Sequence, residues 1–178
     1  MPVRTESRKM SLPISSFGIL NGLPLPKREA WTSPENAPGV PKGAITEICG
    51  AGKTEWVVRF LKEHPILRVA WIEPELSIYP PALFQRAIDP NRILFIEGGD
   101  ETPWVIQQLF KSALFEIIIL LSTLTDFKIL RRFQLAAEKA GASLILLSET
   151  FSKGWPVALQ LKILRKEGGM TAEIIRKR

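Results

Sequence analysis

One cysteine, one histidine and no long apolar run set the first limits on this 178-residue chain. The longest apolar stretch, Ile117 to Leu121, has only the length of a strand, so we expect no membrane-spanning segment. Cys49 has no second cysteine to pair with, which excludes an intramolecular disulfide, and we expect it to pack inside a strand. His64 stands alone in a helix-to-strand turn, so neither a histidine metal site nor a catalytic triad is expected.

Hydrophobic residues make up 46% of the chain, which is enough for one soluble domain with a sizeable core. No secretory signal is visible, because charged residues precede any apolar segment. We therefore expect a cytoplasmic protein that makes no membrane contact and holds no metal.

Negative charge is scarce at both ends of the chain, whose net charge is +6. Residues 1–43 hold six Lys and Arg against three Asp and Glu, and residues 162–178 hold six against two. The rest holds twelve against thirteen, so the centre is nearly neutral. Basic ends can attract nucleic acid through counterion release, although solvated tails are often basic without such a partner. We expect at most weak, non-specific DNA binding.

Residues 1–42 are rich in Pro, Ser and Gly and show no helical or strand periodicity over a useful length. They form a predicted arm in front of a core domain of residues 43–178. The arm also carries apolar groups that a disordered segment would expose to water, so it either packs on its own domain or docks on a partner. Its candidate partner contacts are Phe17, Ile19, Leu20 and Trp31.

From residue 43 onward, short apolar strands alternate with helical stretches, which is the pattern of a mostly parallel α/β sheet flanked by helices. The clearest helix begins near Asp126 and ends at Gly141, with apolar residues on one face. Alternation from Leu159 to Ile163, followed by the pair Gly168-Gly169, predicts a C-terminal antiparallel hairpin. The predicted parallel strands are Ala44–Cys49, Arg68–Ile72, Ile93–Glu97, Glu116–Leu121 and Ser143–Leu147.

The five tryptophans divide by their surroundings. Trp56, Trp71 and Trp104 fall on predicted helix or strand faces, and we expect them in the core. Trp31 and Trp155 fall in irregular segments next to proline, where contact with a partner is an open alternative to core packing.

The segment from Glu47 to Thr54 resembles a phosphate-binding loop whose middle is missing. The full motif, G-x-x-x-x-G-K-[ST], uses four residues between two glycines to wrap backbone N–H groups around a phosphate. Here one residue separates Gly50 from Gly52, and two Cα steps span at most about 7 Å against roughly 17 Å for five. A complete cradle is therefore not expected. Lys53 and Thr54 could still hold an anion at a helix N-terminus, or could mark only a vestigial helix start.

Two acidic residues come at the end of the second predicted strand. Glu73 and Glu75 are two positions apart, which points their side chains to one face. Such a pair could serve acid–base chemistry or a metal ion, whereas carboxylates at a strand end are more often solvated. We take both as vestigial candidates and expect no catalytic residue.

This order of motifs resembles the core of the RecA recombinase family, over roughly Gly39 to the C-terminus. The resemblance places Glu75 at the position of that family's water-activating glutamate, a role that needs a bound γ-phosphate and Mg²⁺. It also places Leu121 where the family has its metal-holding Asp, and the family's long DNA-binding loops are missing. Together with the short loop, these departures imply neither ATPase nor recombinase activity, and no cofactor.

A closer similarity is to the shortened RecA-like proteins of the ImuA and SulA type, which act in the bacterial DNA-damage (SOS) response. It rests on Arg131-Arg132-x-x-Leu-Ala-Ala-Glu138 before a strand, and on Trp71 to Pro74 followed by Tyr79-Pro80-Pro81. ImuA-type proteins are accessory partners of a polymerase-like protein in translesion synthesis. SulA-type proteins block cell division by binding the tubulin-like division protein. The ImuA pattern is matched more fully.

The sequence therefore predicts a non-catalytic RecA-like protein that assists DNA-damage tolerance by binding a translesion polymerase-like protein or another damage-response protein. Arg131 and Arg132 join the arm residues as candidate partner contacts. Two alternatives stay open. One is a RecA-like ATPase that binds ATP and Mg²⁺ with an unusually short loop, and the other is a SulA-like inhibitor of cell division.

Overall fold

Strands and helices alternate along the core. The computed structural model describes residues 28–34, 37–121, 126–153, 156–167 and 169–177. The strands are β1 (Ala30–Trp31), β2 (Val40–Pro41), β3 (Ile45–Cys49), β4 (Val69–Glu73), β5 (Ile93–Glu97), β6 (Ile117–Leu121), β7 (Ser143–Leu147), β8 (Leu159–Lys166) and β9 (Gly169–Lys177). The helices are α1 (Lys53–Glu63), α2 (Pro80–Gln85), α3 (Thr102–Ser112) and α4 (Phe127–Ala140). Of the helices in these ranges, none is long and apolar enough to span a bilayer.

A seven-stranded sheet in the order β5-β4-β6-β7-β3-β8-β9 forms the middle of the domain. Its strands run parallel except β9, which pairs antiparallel with β8. The predicted class, a mostly parallel α/β sheet with a C-terminal antiparallel hairpin, is confirmed. Each predicted parallel strand agrees with the observed one to within one residue at either end. The apolar runs identified these strands because a strand covered on both faces needs apolar side chains on both.

Each face of the sheet has its own apolar layer. On the α1 face, Trp56 and Trp71 belong to one buried cluster. On the other face, α3 and α4 bury Ile106 and Phe133 against the sheet. The core prediction is confirmed for Trp56 and Trp71 but wrong for Trp104, which is 59% exposed. Trp104 comes two positions before Ile106, and a two-residue step turns an α-helix by about 200°, so the two side chains face opposite sides.

The clearest predicted helix, α4, has both of its predicted ends. The Asp126 carboxylate accepts hydrogen bonds from the backbone N–H of Lys128 at 2.7 Å and of Ile129 at 3.4 Å. Gly141 ends the helix with a φ of +68°, a conformation that glycine adopts without steric cost. Local signals were sufficient to place this helix.

The described part of the predicted arm packs on the core domain. β1 pairs antiparallel with β2, where Val40 is fully buried. The Trp31 ring lies edge-on to the His64 ring at 6.0 Å, and Lys42 Nζ lies 4.2 Å from the centre of the Trp31 ring. Trp31 therefore contacts its own domain, and this part of the arm is continuous with the core.

Parallel strands place their carboxyl ends at one edge of the sheet, which we call the carboxyl edge. The loops after β3, β4, β6 and β7 all begin there. The helices return to the opposite edge, where α3 and α4 end. The N-terminal ends of α3 and α4 therefore lie close to the carboxyl edge, and their C-terminal ends lie far from it.

Candidate functional site

The shortened phosphate loop leads from β3 directly into α1 at the carboxyl edge. Gly50 and Gly52 have left-handed φ angles of +102° and +101°, and Gly52 is the N-cap of the helix. The backbone of β8 lies against this loop, since a Cβ on Gly50 would overlap the carbonyl oxygen of Ile163. A Cβ on Gly52 would lie 3.0 Å from the sulfur of Met170 on β9. The two glycines therefore give the C-terminal hairpin room to pack against the loop.

The lysine of the loop is held by the protein itself. Lys53 Nζ donates a 3.2 Å hydrogen bond to the backbone carbonyl of Ser148 and forms an ion pair with the carboxylate of Glu149. Both partners follow β7, the strand next to β3 in the sheet. The Lys53 side chain is only 13% exposed, while neighbouring Thr54 is exposed. The cation that would meet a phosphate is thus already paired with a carboxylate.

Glu47, in the middle of β3, is the centre of a buried hydrogen-bond network. Its carboxylate accepts hydrogen bonds from Ser148 Oγ at 3.1 Å, from Ser152 N and Oγ at 3.0 and 2.8 Å, and from Gln160 Nε2 at 2.7 Å. These donors replace the water that the carboxylate loses on burial. The network joins β3, β8 and the segment after β7.

Sequence reasoning missed this network. Alternation along β8 predicts that Gln160 faces solvent, but β8 lies between β3 and β9, and its Gln160 is opposite Glu47 in the parallel register. Gln160 is buried as a result. One signal was present, because an acidic residue inside an apolar strand such as Ile45–Cys49 is seldom buried without partners.

Cys49 is buried at the end of β3, as predicted. Its Sγ lies 3.2 Å from Ser148 Oγ. Burial raises the pKa of the Cys49 thiol, which keeps it in the neutral form near neutral pH. This cysteine is a packing group and not a reactive thiolate.

Glu73 is buried, which corrects the expectation of a solvated acid. Its carboxylate accepts hydrogen bonds from Trp71 Nε1 at 2.9 Å, from Ser77 N and Oγ at 2.6 and 2.8 Å, and from Ile78 N at 3.1 Å. Burial acts to raise the pKa of Glu73, but these hydrogen bonds outweigh it and the pKa is lowered. Glu75, two residues later, is exposed. Glu73 therefore shapes the loop after β4, and the two carboxylates lie in different environments.

Leu121, at the end of β6, is the residue that the RecA resemblance places at the position of the metal-holding Asp. Leu121 is half-buried and packs against the apolar cluster on the α1 face. Residues 122–125, which follow it, lie outside the described ranges. Within those ranges, no group of three or more His, Cys, Asp or Glu residues could hold a metal ion.

Of the predicted partner contacts, the structure describes Trp31, Arg131 and Arg132. Arg131 is half-buried on α4, and Arg132 next to it is exposed. Trp31 packs on its own domain, as described above. The contact residues that fall outside the described ranges, and whose roles stay predictions, are Phe17, Ile19, Leu20 and Trp155.

No protein-family model matches the chain, and no curated protein sequence matches it either. The RecA-like relationship stays a prediction from the sequence motifs.

Proposed function

We propose that the protein is a non-catalytic, cytoplasmic binding module in DNA-damage tolerance, acting as the partner of a translesion polymerase-like protein. The observation that carries the proposal is the pairing of the Lys53 ammonium with the Glu149 carboxylate and the Ser148 carbonyl. A lysine that serves a phosphate loop has to reach the β- and γ-phosphates of a nucleotide. In this protein the same cation stabilises the contact between two segments of the chain.

Nucleotide entry would have to disrupt several contacts at once. A phosphate would compete with Glu149 for Lys53. It would also need space at Gly50, where the β8 backbone already packs. The nearby donors Ser148 and Ser152 are used by the buried Glu47 carboxylate. We therefore expect neither a bound cofactor nor ATPase activity.

The motif resemblance supplies the cellular process. Of the two matched segments, one runs along α4 and includes the exposed Arg132, and the other includes Tyr79, which is 66% exposed. Exposed aromatic and arginine side chains are the types that most often anchor protein–protein contacts. These positions support a partner-binding role for the matched segments.

The first experiment tests the nucleotide site. Mg²⁺-dependent ATP hydrolysis by the purified full-length protein should not exceed background, and a fluorescent ATP analogue should not bind. Lys53→Ala should leave both results unchanged. A hydrolysis rate that Lys53→Ala abolishes would support the ATPase alternative and contradict the proposal of a non-catalytic protein.

The second experiment tests the cellular role. In cells that lack the native copy, Lys53→Ala should restore survival and induced mutagenesis after DNA damage. Replacement of Phe17 and Leu20 by Ala should reduce both, provided that thermal melting shows the variant to be as stable as wild type. If expression instead produces filamentous, undivided cells without affecting mutagenesis, the SulA-like alternative is favoured.

Weak DNA binding is a secondary part of the proposal. The hairpin of β8 and β9 exposes Lys162, Lys166 and Lys177. Binding through such groups should be independent of sequence and should weaken steeply between about 50 and 200 mM salt. Tight binding that persists at high salt after Lys166→Ala and Lys177→Ala would contradict this electrostatic account.

A further inference from the structure

A groove of about 620 Å³ lies between the C-terminal halves of α3 and α4. Its apolar lining includes Phe110 from α3 and Leu135, Ala136 and Ala140 from α4. Leu135 is 49% exposed, so an aliphatic side chain in this lining faces solvent. Positions 132, 135, 136, 139 and 140 share one helix face, because they follow the three- and four-residue spacing of an α-helix.

The charged side chains that line the groove are all positive in the described part of the chain. Lys111, Arg132 and Lys139 line it, and its described lining contains no Asp or Glu. In the part of the chain that the structure describes, none of these three cations has an ion-pair partner. Glu138, the neighbouring acid on α4, forms an ion pair with Arg28 at 2.6 Å, so its charge already has a partner.

We propose that this groove binds an acidic amphipathic helix of a partner protein. An apolar side chain of that helix would cover Leu135, and its carboxylates would pair with Lys111, Arg132 and Lys139. The lining from residue 132 to residue 140 spans about 12 Å, which matches roughly two helical turns. An amphipathic helix laid in an apolar groove is a common mode of recognition. The inference rests on the proposed function only in treating the protein as a binding module.

Charge complementarity favours an acidic partner over the other occupants. Residues 1–27 of the chain itself carry four Lys and Arg and one Glu, so they would bring positive charge to a positive groove. A second copy is also disfavoured, because the chain has a net charge of +6. Like charges brought together in this way lower affinity.

The position of the groove separates it from the phosphate-loop region. Because α3 and α4 run from the carboxyl edge to the opposite edge, their C-terminal halves lie away from the loop. A substitution in the groove should therefore leave Lys53 and its partners in place. Conversely, Lys53→Ala should not change binding in the groove.

The test uses a fluorescein-labelled helical peptide of about 15 residues, with Leu on one face and Glu on its flanks. Fluorescence anisotropy with the full-length protein should show binding that weakens as salt is added. Arg132→Glu and Leu135→Ala should each reduce the affinity, by about tenfold or more for the charge reversal. Lys128→Glu makes the same charge change on α4 outside the groove and should bind like wild type.

A matched peptide with every Glu replaced by Gln should bind much more weakly than the acidic one. The inference is overturned if wild type does not bind the acidic peptide, if the Gln peptide binds equally well, or if Arg132→Glu has no effect. Circular dichroism and thermal melting check that each variant is folded, which the exposure of Arg132 and Leu135 favours.

Two further results would assign the groove to another occupant and overturn the choice of an acidic partner. One is competition by a synthetic peptide of residues 1–27. The other is a dimer in sedimentation experiments that Arg132→Glu dissociates. If the acidic peptide binds but the cellular experiment shows no role in survival or mutagenesis after DNA damage, the groove proposal holds and the proposed process is wrong. If the cellular role is found but the peptide does not bind, the proposed process holds and the groove proposal is wrong.

Discussion

The region around the shortened phosphate loop and the groove between α3 and α4 differ in whether their charged groups have partners within the protein. At the loop, Lys53 is paired with Glu149, and the buried Glu47 carboxylate is surrounded by donors from its own chain. At the groove, Arg132 and Lys139 have no ion-pair partner within the described residues, and apolar surface faces water. The polar groups of the first region have partners within the protein, whereas the cations of the second have no ion-pair partner among the described residues.

This difference indicates where stability and binding are encoded. A group that is satisfied inside the protein contributes to the free energy of unfolding and is not available to a ligand. An unpaired cation next to exposed apolar surface contributes little to folding and is available to a partner. Substitutions at the loop should therefore change stability, and substitutions at the groove should change binding.

Glu47→Ala should have the largest effect on stability. It leaves the buried donors of Ser148, Ser152 and Gln160 without their acceptor and opens a cavity, so we expect a loss of roughly 3 kcal/mol or more in the free energy of unfolding. Urea denaturation measures the change. Glu75→Ala removes an exposed carboxylate at the same edge and should lie within about 0.5 kcal/mol of wild type. Equal effects of the two substitutions would show that the buried Glu47 network adds no more stability than an exposed carboxylate.

Gly50→Ala should be nearly as damaging. Its left-handed φ is strained for alanine, and the added Cβ would overlap the Ile163 carbonyl oxygen, so we expect a loss of roughly 3 kcal/mol. Gly141→Ala is the matched control, because Gly141 has a φ of +68° but open space around its Cβ position. It should lose only about 1 kcal/mol. If chemical denaturation gives the same loss for both, the close approach of the hairpin is not important for stability.

Glu73→Gln should make the free energy of unfolding less dependent on pH at acidic pH. The folded-state pKa of Glu73 is lowered, so its carboxylate stabilises the fold above the unfolded-state pKa of about 4.3, and that contribution is lost as the pH falls through the folded-state value. At neutral pH we expect the substitution to cost about 1–2 kcal/mol, since Gln keeps only one acceptor oxygen for Ser77 and Trp71. Denaturant midpoints measured from pH 7 to pH 3 test this. An unchanged pH dependence in the variant would contradict the assignment.

Apart from the two control substitutions, Lys53→Ala should have the smallest effect on the free energy of unfolding. Its carboxylate partner is 82% exposed, and ion pairs with one exposed member contribute about 0–1 kcal/mol. A double-mutant cycle with Glu149→Ala would measure the coupling between the two side chains directly. A coupling near zero would show that Glu149 does not hold Lys53, whereas a measurable coupling would support the pairing of these two side chains.

The elements of the fold were predictable to the extent that local signals specify them. Asp126 and Gly141 fixed both ends of α4, since a cap and a left-handed glycine act within one helical turn. The environments of Glu73 and Trp104 were not predictable in this way. Glu73 is buried because the loop after it folds back to donate hydrogen bonds, and Trp104 is exposed because Ile106 occupies the inward face of α3.

By itself, the sequence determined the order of strands and helices, the single-residue gap between Gly50 and Gly52, and the concentration of positive charge near both ends. These properties depend on residues that are close together in the chain. Only the tertiary structure decided that Gln160 meets Glu47 across a separation of 113 residues, that Lys53 meets Glu149 across 96, and that α3 and α4 together form a cationic groove. Strand order in the sheet sets those contacts, and it results from the packing of the whole domain, not from any local pattern.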